Sequence, residues 1–221
     1  MQQQTKASMA ATGSRGPGSP QSGSIGRGSP ASDSPGPGSS ERRSPEPGAP
    51  EPIAVVTTGG TIDKAYFDAL SEYQIGEPIV RRVLEIANVA HPYRIVELLR
   101  KDSLDLTDED RASLQRTIAD MTLRHVVVTH GTDTMTDTAR VLASIPGKTI
   151  VLTGALSPAR FSESDATFNL GMAFAAVQVL PAGVYIAMNG QVFRGDEVRK
   201  DRARSMFVAT SSSGPAPDHS A

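Results

Sequence analysis

Apolar residues along this chain alternate between two periods. Short continuous runs rich in β-branched residues are separated by longer stretches in which apolar positions return every three or four residues. The runs are Ile53-Ala54-Val55-Val56-Thr57-Thr58, Arg94-Ile95-Val96-Glu97-Leu98-Leu99, Arg124-His125-Val126-Val127-Val128-Thr129, Lys148-Thr149-Ile150-Val151-Leu152-Thr153 and Ala182-Gly183-Val184-Tyr185-Ile186-Ala187-Met188. Continuous rather than alternating apolar character suits strands covered on both faces. Between the runs, helical spacing recurs in four sets: Ile79, Val83, Leu84 and Ala87; Leu114, Ile118 and Met121; Met135, Ala139, Leu142 and Ile145; Leu170, Ala173, Val177 and Leu180. The first of these helices is expected to start at Glu77, with Pro78 in its opening turn. Thr107-Asp108-Glu109-Asp110 has the form of a capping box for the second. The fourth stops before Pro181. Tyr66 through Gly76 shows no period and reads as a mobile loop carrying Tyr66 and Tyr73. Strands that alternate with helices predict an α/β fold, a doubly wound, mostly parallel sheet flanked by helices in a single domain.

The flanks have a different character. Residues 1–52 are mostly Ser, Gly, Pro and Gln, with Ile25 almost alone as a large aliphatic side chain, and cannot bury enough to offset the entropy of ordering. They read as a disordered tail, as do residues 211–221, which leaves 53–210 as the folded domain. The chain of 221 residues carries a formal net charge of -2 and no cysteine. That balance, without a basic patch, points away from nucleic acid. No apolar segment approaches the about 20 residues that span a bilayer, and the N-terminus lacks the apolar core of a signal peptide. The expected setting is cytoplasmic.

Candidate chemistry gathers where strands end. Gly59-Gly60-Thr61 follows the first run, Asp102-Ser103 the second and His130-Gly131-Thr132-Asp133 the third. In a parallel sheet these loops share one edge, where helix N-termini offer unpaired N–H groups to ligands. Each residue also has a plainer reading: Thr132 and Asp133 as helix caps, His130 as a packed and hydrogen-bonded histidine, Lys200 as one more solvated charge in Arg199-Lys200-Asp201-Arg202. A hydroxyl nucleophile needs a base or a cation nearby, and Lys200 reaches this edge only if the chain curls back after the fifth strand. No G-x-G-x-x-G and no G-K-[ST] is present, which disfavours dinucleotide and P-loop sites.

Thr57-Thr58-Gly59-Gly60-Thr61-Ile62 followed by His130-Gly131-Thr132-Asp133-Thr134-Met135 resembles the two signature motifs of the bacterial L-asparaginase (asparaginase/glutaminase) family of threonine amidohydrolases. The resemblance continues through Asp102-Ser103-Leu104-Asp105-Leu106-Thr107, Leu152-Thr153-Gly154-Ala155, Phe168-Asn169-Leu170 and Met188-Asn189. It implies hydrolysis of a side-chain amide, L-asparagine to L-aspartate and ammonia, without metal or cofactor, by a homo-oligomer. Thr61 would be the nucleophile and Tyr73 a loop tyrosine that closes over substrate. Ser103 would hold the substrate α-carboxylate. Thr132, Asp133 and Lys200 would form a second catalytic group, with Asp133 orienting the substrate ammonium. Gly60 and Gly131 would bind at the reacting carbonyl, where any tetrahedral intermediate needs N–H donors.

Two departures qualify what the resemblance implies. The family's smaller second domain, which helps complete a neighbouring subunit's site, has no counterpart in this chain, and Leu104 stands where an amide or small polar residue commonly meets the substrate amino group. A site of the short form is expected to be more open. The alternatives are an amidase acting on glutamine or another amide, and an inactive small-molecule-binding relative.

Overall fold

The computed structural model of the chain describes residues 50–67 and 72–210, with the backbone alone at 66–67 and 72–75. The expected tails, apart from residues 50–52, lie outside the described residues. Six strands form the main sheet: β1 (Ile53–Gly59), β4 (Tyr93–Lys101), β5 (His125–Thr129), β6 (Thr149–Thr153), β7 (Gly183–Met188) and β8 (Gln191–Arg194), in the order β4-β1-β5-β6-β7-β8. All neighbours are parallel except the β7–β8 pair. The strand order explains the differing sequence patterns. β1 lies between two strands and is buried along its whole length. β4 is an edge strand that exposes Arg94, Glu97 and Arg100, charges that discourage pairing with another chain.

Helices cover both faces. On one, α1 (Val80–Ile86) and α4 (Ala166–Val179) pack Val80, Val83, Leu84, Leu170, Ala173 and Val177 against Ile53, Val55, Val127 and Val151. On the other, α2 (Asp108–Asp120) and α3 (Met135–Leu142) pack Leu114, Ile118, Met135, Ala139 and Leu142 against Ala54, Val56, Val126, Val128, Ile150 and Leu152. Alternate residues of each strand therefore feed opposite cores, which is why the runs are apolar without a gap. The β5–α3–β6 and β6–α4–β7 connections step one strand in the same direction, yet their helices lie on opposite faces, so they have opposite hands. The α4 connection is the odd one among the four, a departure from the strong right-handed preference of such units.

Three local expectations are revised. The stretch from Tyr66 to Gly76, read as a mobile loop without a period, takes part in an antiparallel pairing of β2 (Lys64–Phe67) with β3 (Glu72–Ile75), in which Tyr66 opposes Tyr73. Main-chain pairing between β-forming residues needs no buried face, so no alternation marks it. The helix expected from Glu77 begins at Val80, because the Ile79 N–H is taken by the Asp63 carboxylate at 2.9 Å. The folded part also starts before Ile53: Glu51 accepts from the Arg124 N–H and pairs with its guanidinium. Past β8 the chain turns back as a second hairpin, β9 (Val198–Asp201) with β10 (Met206–Ala209).

Candidate active site

β1 connects through α1 to β4 on its left, while β5, on its right, leads on through α3 to β6. The loops after β1 and β5 thus diverge, leaving a crevice at the carboxyl ends of these two neighbours, the switch point where open α/β sheets bind ligands. Thr57 and Thr129 are register partners there, and the Thr58 hydroxyl donates to the Thr129 carbonyl at 2.9 Å. One residue further on, Gly59 and Gly60 have φ of 96° and 90°, a region open to glycine but strained for other residues. A Cβ on Gly60 would sit 2.4 Å from the Gly131 nitrogen. The two motifs are thus in backbone contact, with Thr61, at the head of a short 3-10 turn (Thr61–Asp63), next to that contact.

The β4 loop joins them. The Gly60 N–H donates to the Lys101 carbonyl at 2.9 Å and the Thr134 hydroxyl to the Ser103 carbonyl at 2.8 Å. A Cβ on Gly131 would lie 2.6 Å from the Ser103 Oγ, so only glycine leaves this hydroxyl its place. Ser103 is buried, and its Oγ has no hydrogen-bond partner among the described residues. An unpaired buried hydroxyl costs about 1–3 kcal/mol, a cost that a bound carboxylate would remove. Beside it, Asp102 pairs with Lys64 at 2.7 Å. Burial pushes the Asp102 carboxyl up, but the Lys64 bond and backbone N–H donors outweigh burial and hold it below its ordinary value.

Lys200 arrives from the other side of the crevice. In β9, Val198 and Lys200 face one way and Arg199 the other, as strand alternation requires. Val198 and Phe207 are buried in the core beneath α3, and the Phe207 N–H donates to the Asn189 side chain at 2.9 Å. This anchoring points the Lys200 Nζ at the Thr132 Oγ1, 2.7 Å away, and at Asp133 Oδ1, 2.9 Å away. Neither residue caps α3, whose N-cap is Thr134 without a side-chain capping bond to the helix. Thr132 is buried, the Asp133 side chain 35 % exposed and that of Lys200 only 13 % exposed. A hydroxyl bound to a cation in a poorly hydrated site is one whose deprotonation is eased.

His130 is fully buried, and burial drives its pKa down to about 4, so the ring is neutral. Its Nδ1 must donate to the Gly131 carbonyl at 2.7 Å, since a carbonyl only accepts, leaving Nε2 to accept from the Thr138 hydroxyl at 2.8 Å. The histidine therefore fixes the Gly131–Thr132 peptide from within the core.

Of the residues singled out in the sequence, Gly60, Ser103, Gly131, Thr132, Asp133 and Lys200 are linked by these contacts, with Thr61 adjoining Gly60. The side chain of Tyr73 lies outside the described residues; its backbone is in β3. Leu104 is 67 % exposed at this mouth. Lys64 and Asp63 carried no clear sequence signal, whereas Asp102, the partner of Lys64, stands in the loop expected after the second run. Asp63 offered one hint, a carboxylate placed immediately after Thr61-Ile62 in a segment whose other residues suit burial.

Residues 52–216 match the family model described as asparaginase, N-terminal. The chain is 30% identical over 163 residues to a glutaminase-asparaginase of Acinetobacter glutaminasificans, covering 67% of this chain and 49% of that protein. Among solved structures it is similar to L-asparaginase I of Vibrio cholerae, with a TM-score of 0.64 at 26% identity over 72% of this chain and 51% of that one. A probable cytoplasmic L-asparaginase of Campylobacter jejuni gives a TM-score of 0.61 at 29% identity over 72% and 52%. The chain spans about half the length of the curated relatives it matches.

Proposed function

We propose, from the premise that this chain belongs to the asparaginase family through its N-terminal domain, that it is an amidohydrolase converting L-asparagine to L-aspartate and ammonia. The observation that carries this reading is the Lys200 Nζ bonded to both Thr132 Oγ1 and Asp133 Oδ1 beside the Gly60–Gly131 contact. Thr61 attacks the side-chain amide carbon, and main-chain N–H groups beside the Gly60–Gly131 contact receive the negative charge on its oxygen, the Gly60 N–H itself being held by the Lys101 carbonyl. The C–N bond breaks with proton transfer to the leaving ammonia. Water then cleaves the Thr61 ester, releasing the acid and restoring the hydroxyl. Thr132 with Lys200 moves protons, Asp133 takes the substrate ammonium, Ser103 Oγ takes the α-carboxylate and Tyr73 closes over the site.

Ammonia release by the purified protein from L-asparagine, L-glutamine and succinamic acid tests the reading. Turnover of L-asparagine is expected. Absence of ammonia from all three amides refutes it, and faster release from L-glutamine reassigns the substrate. Leucine at position 104 offers no acceptor to an ammonium, so discrimination between asparagine and succinamic acid rests on Asp133. About one charge-assisted hydrogen bond is then available, or roughly 10–150-fold in kcat/KM.

The proposal extends to organisation. The folded asparaginase-type domain occupies residues 53–210, with Glu51 as part of its edge, and the flanking segments serve as tails. A chain starting at residue 50 should keep the Tm and kcat of the full chain; loss of either would show that the N-terminal segment docks on the domain. The protein acts as a homo-oligomer in the cytoplasm. α4 supports the first point: Phe168, Ala175 and Val179 are exposed on its outer side, Phe168 at 65 % and Val179 at 80 %, while Met172 between them is partly buried against the core. A helix apolar all round is normally covered. Phe168→Glu should therefore lower the sedimentation mass; an unchanged mass would remove α4 from the interface. The Campylobacter jejuni protein's description as cytoplasmic supports the second point.

A further inference from the structure

Asp63 is buried, two residues beyond Thr61, and is tied on several sides. Its N–H donates to the Gly60 carbonyl at 3.1 Å, its carbonyl accepts from the Gly76 N–H at 2.9 Å and its Oδ1 accepts from the Ile79 N–H at 2.9 Å. The Ala159 N–H meets the neighbouring Ile62 carbonyl at 3.1 Å. Gly76 follows directly on β3, so one residue joins the turn bearing Thr61, the base of the β2–β3 hairpin and the start of α1. Oδ2 is buried without a hydrogen-bond partner among the described residues. Chain anchoring alone does not account for that oxygen. A half-satisfied buried carboxylate opposes folding, and such costs persist where a site depends on them.

We propose that Asp63 is a positioning residue for Thr61, its carboxylate clamping the Thr61–Asp63 turn to the Gly76–Ile79 segment so that nucleophile and hairpin base keep one geometry. This rests on the reading of Thr61 as the nucleophile. Ionised, Asp63 makes a charge-assisted bond to the Ile79 N–H, roughly twice as strong as the neutral equivalent; protonated, the clamp loosens. Burial raises its pKa from 3.8 to about 6, against the lowering pull of the Ile79 N–H and Arg160. The charged groups facing it are Arg160 from the loop before α4 and Glu97 and Arg100 from β4, and these last two are bonded to each other. The clamp is therefore engaged above about pH 6 and released below it.

The test is Asp63→Asn, which keeps an acceptor for Ile79 and deletes the charge, measured with Thr61→Ala on the full chain. A folded Asp63→Asn protein should lose about 10- to 100-fold in kcat, the scale of a misplaced reacting group, with little change in KM. The wild-type kcat should have an acidic limb centred near pH 6 that is absent from the variant. Wild-type kcat and an unaltered limb in Asp63→Asn, with Thr61→Ala inactive, overturn the positioning role and leave the nucleophile assignment standing. An active Thr61→Ala removes that assignment and this proposal with it. Should Asp63→Asn fail to fold, the wild-type profile decides: a limb near pH 6 upholds the clamp, and a kcat flat between about pH 5 and about pH 7 overturns it.

Discussion

Thr61→Ala and Thr132→Val should each lower kcat/KM for L-asparagine by about 10³-fold or more, equivalent to about 4 kcal/mol of transition-state stabilisation. The two substitutions probe different oxygens. Thr61 is half-buried beside the Gly60–Gly131 contact, so its truncation removes a hydroxyl from the crevice at small cost in packing. Thr132 is buried, and valine keeps its shape while deleting the oxygen that accepts from Lys200 at 2.7 Å. Stability should change by less than the rate does. One lost hydrogen bond is worth about 0.5–1.5 kcal/mol net, and Lys200 retains Asp133. Steady-state kinetics beside thermal melts check both variants. Near-native turnover in a folded Thr61→Ala protein would exclude the nucleophile role, and the same result for Thr132→Val would confine Thr132 to structure.

Lys200→Met should have an effect of similar class, roughly 10²- to 10³-fold in kcat, because it removes the cation that bridges Thr132 and Asp133. Methionine preserves most of the stem, which packs with only 13 % of the side chain exposed. Asp133 is left with the Arg202 guanidinium at 4.0 Å and, being 35 % exposed, is rehydrated by solvent. The change in stability should stay within about 1 kcal/mol, since partly exposed ion pairs contribute little. A solvated lysine predicts unchanged kinetics, and that outcome would take Lys200 out of the catalytic group. A rise in KM with kcat intact would instead make it a binding residue.

Phe168→Glu, the shortened chain and Asp63→Asn probe features with different visibility in the sequence. The spacing that puts Phe168, Ala175 and Val179 on one side of α4 is written in its residues, but the packing that leaves them exposed is not. Glu51 looked like part of a Pro-rich tail because its partner, Arg124, is 73 residues away. Asp63 carried no clear signal for the same kind of reason: its partner Ile79 belongs to another element, and the bond delays a helix whose apolar period starts earlier.

By itself the sequence determined the kind of the four helices and of five of the six main-sheet strands, β8 excepted, and the positions where chemistry could sit. Burial on two faces demands unbroken apolar runs, helices demand a 3.6-residue return, and glycines with hydroxyls after a strand mark where the backbone turns sharply. Such signals are local, carried within a dozen residues. Tertiary structure alone decided that β1 and β5 are neighbours, that their diverging loops open the crevice, and that Thr132 and Asp133 bond Lys200 rather than cap α3. Those outcomes depend on strand order and on contacts made across 67 and 68 residues. A lysine in a charged run has the same local pattern whether it faces solvent or a buried threonine. What separates the two cases is the burial of Val198 and Phe207, which turns the β9–β10 hairpin so that alternation delivers Lys200 to the site.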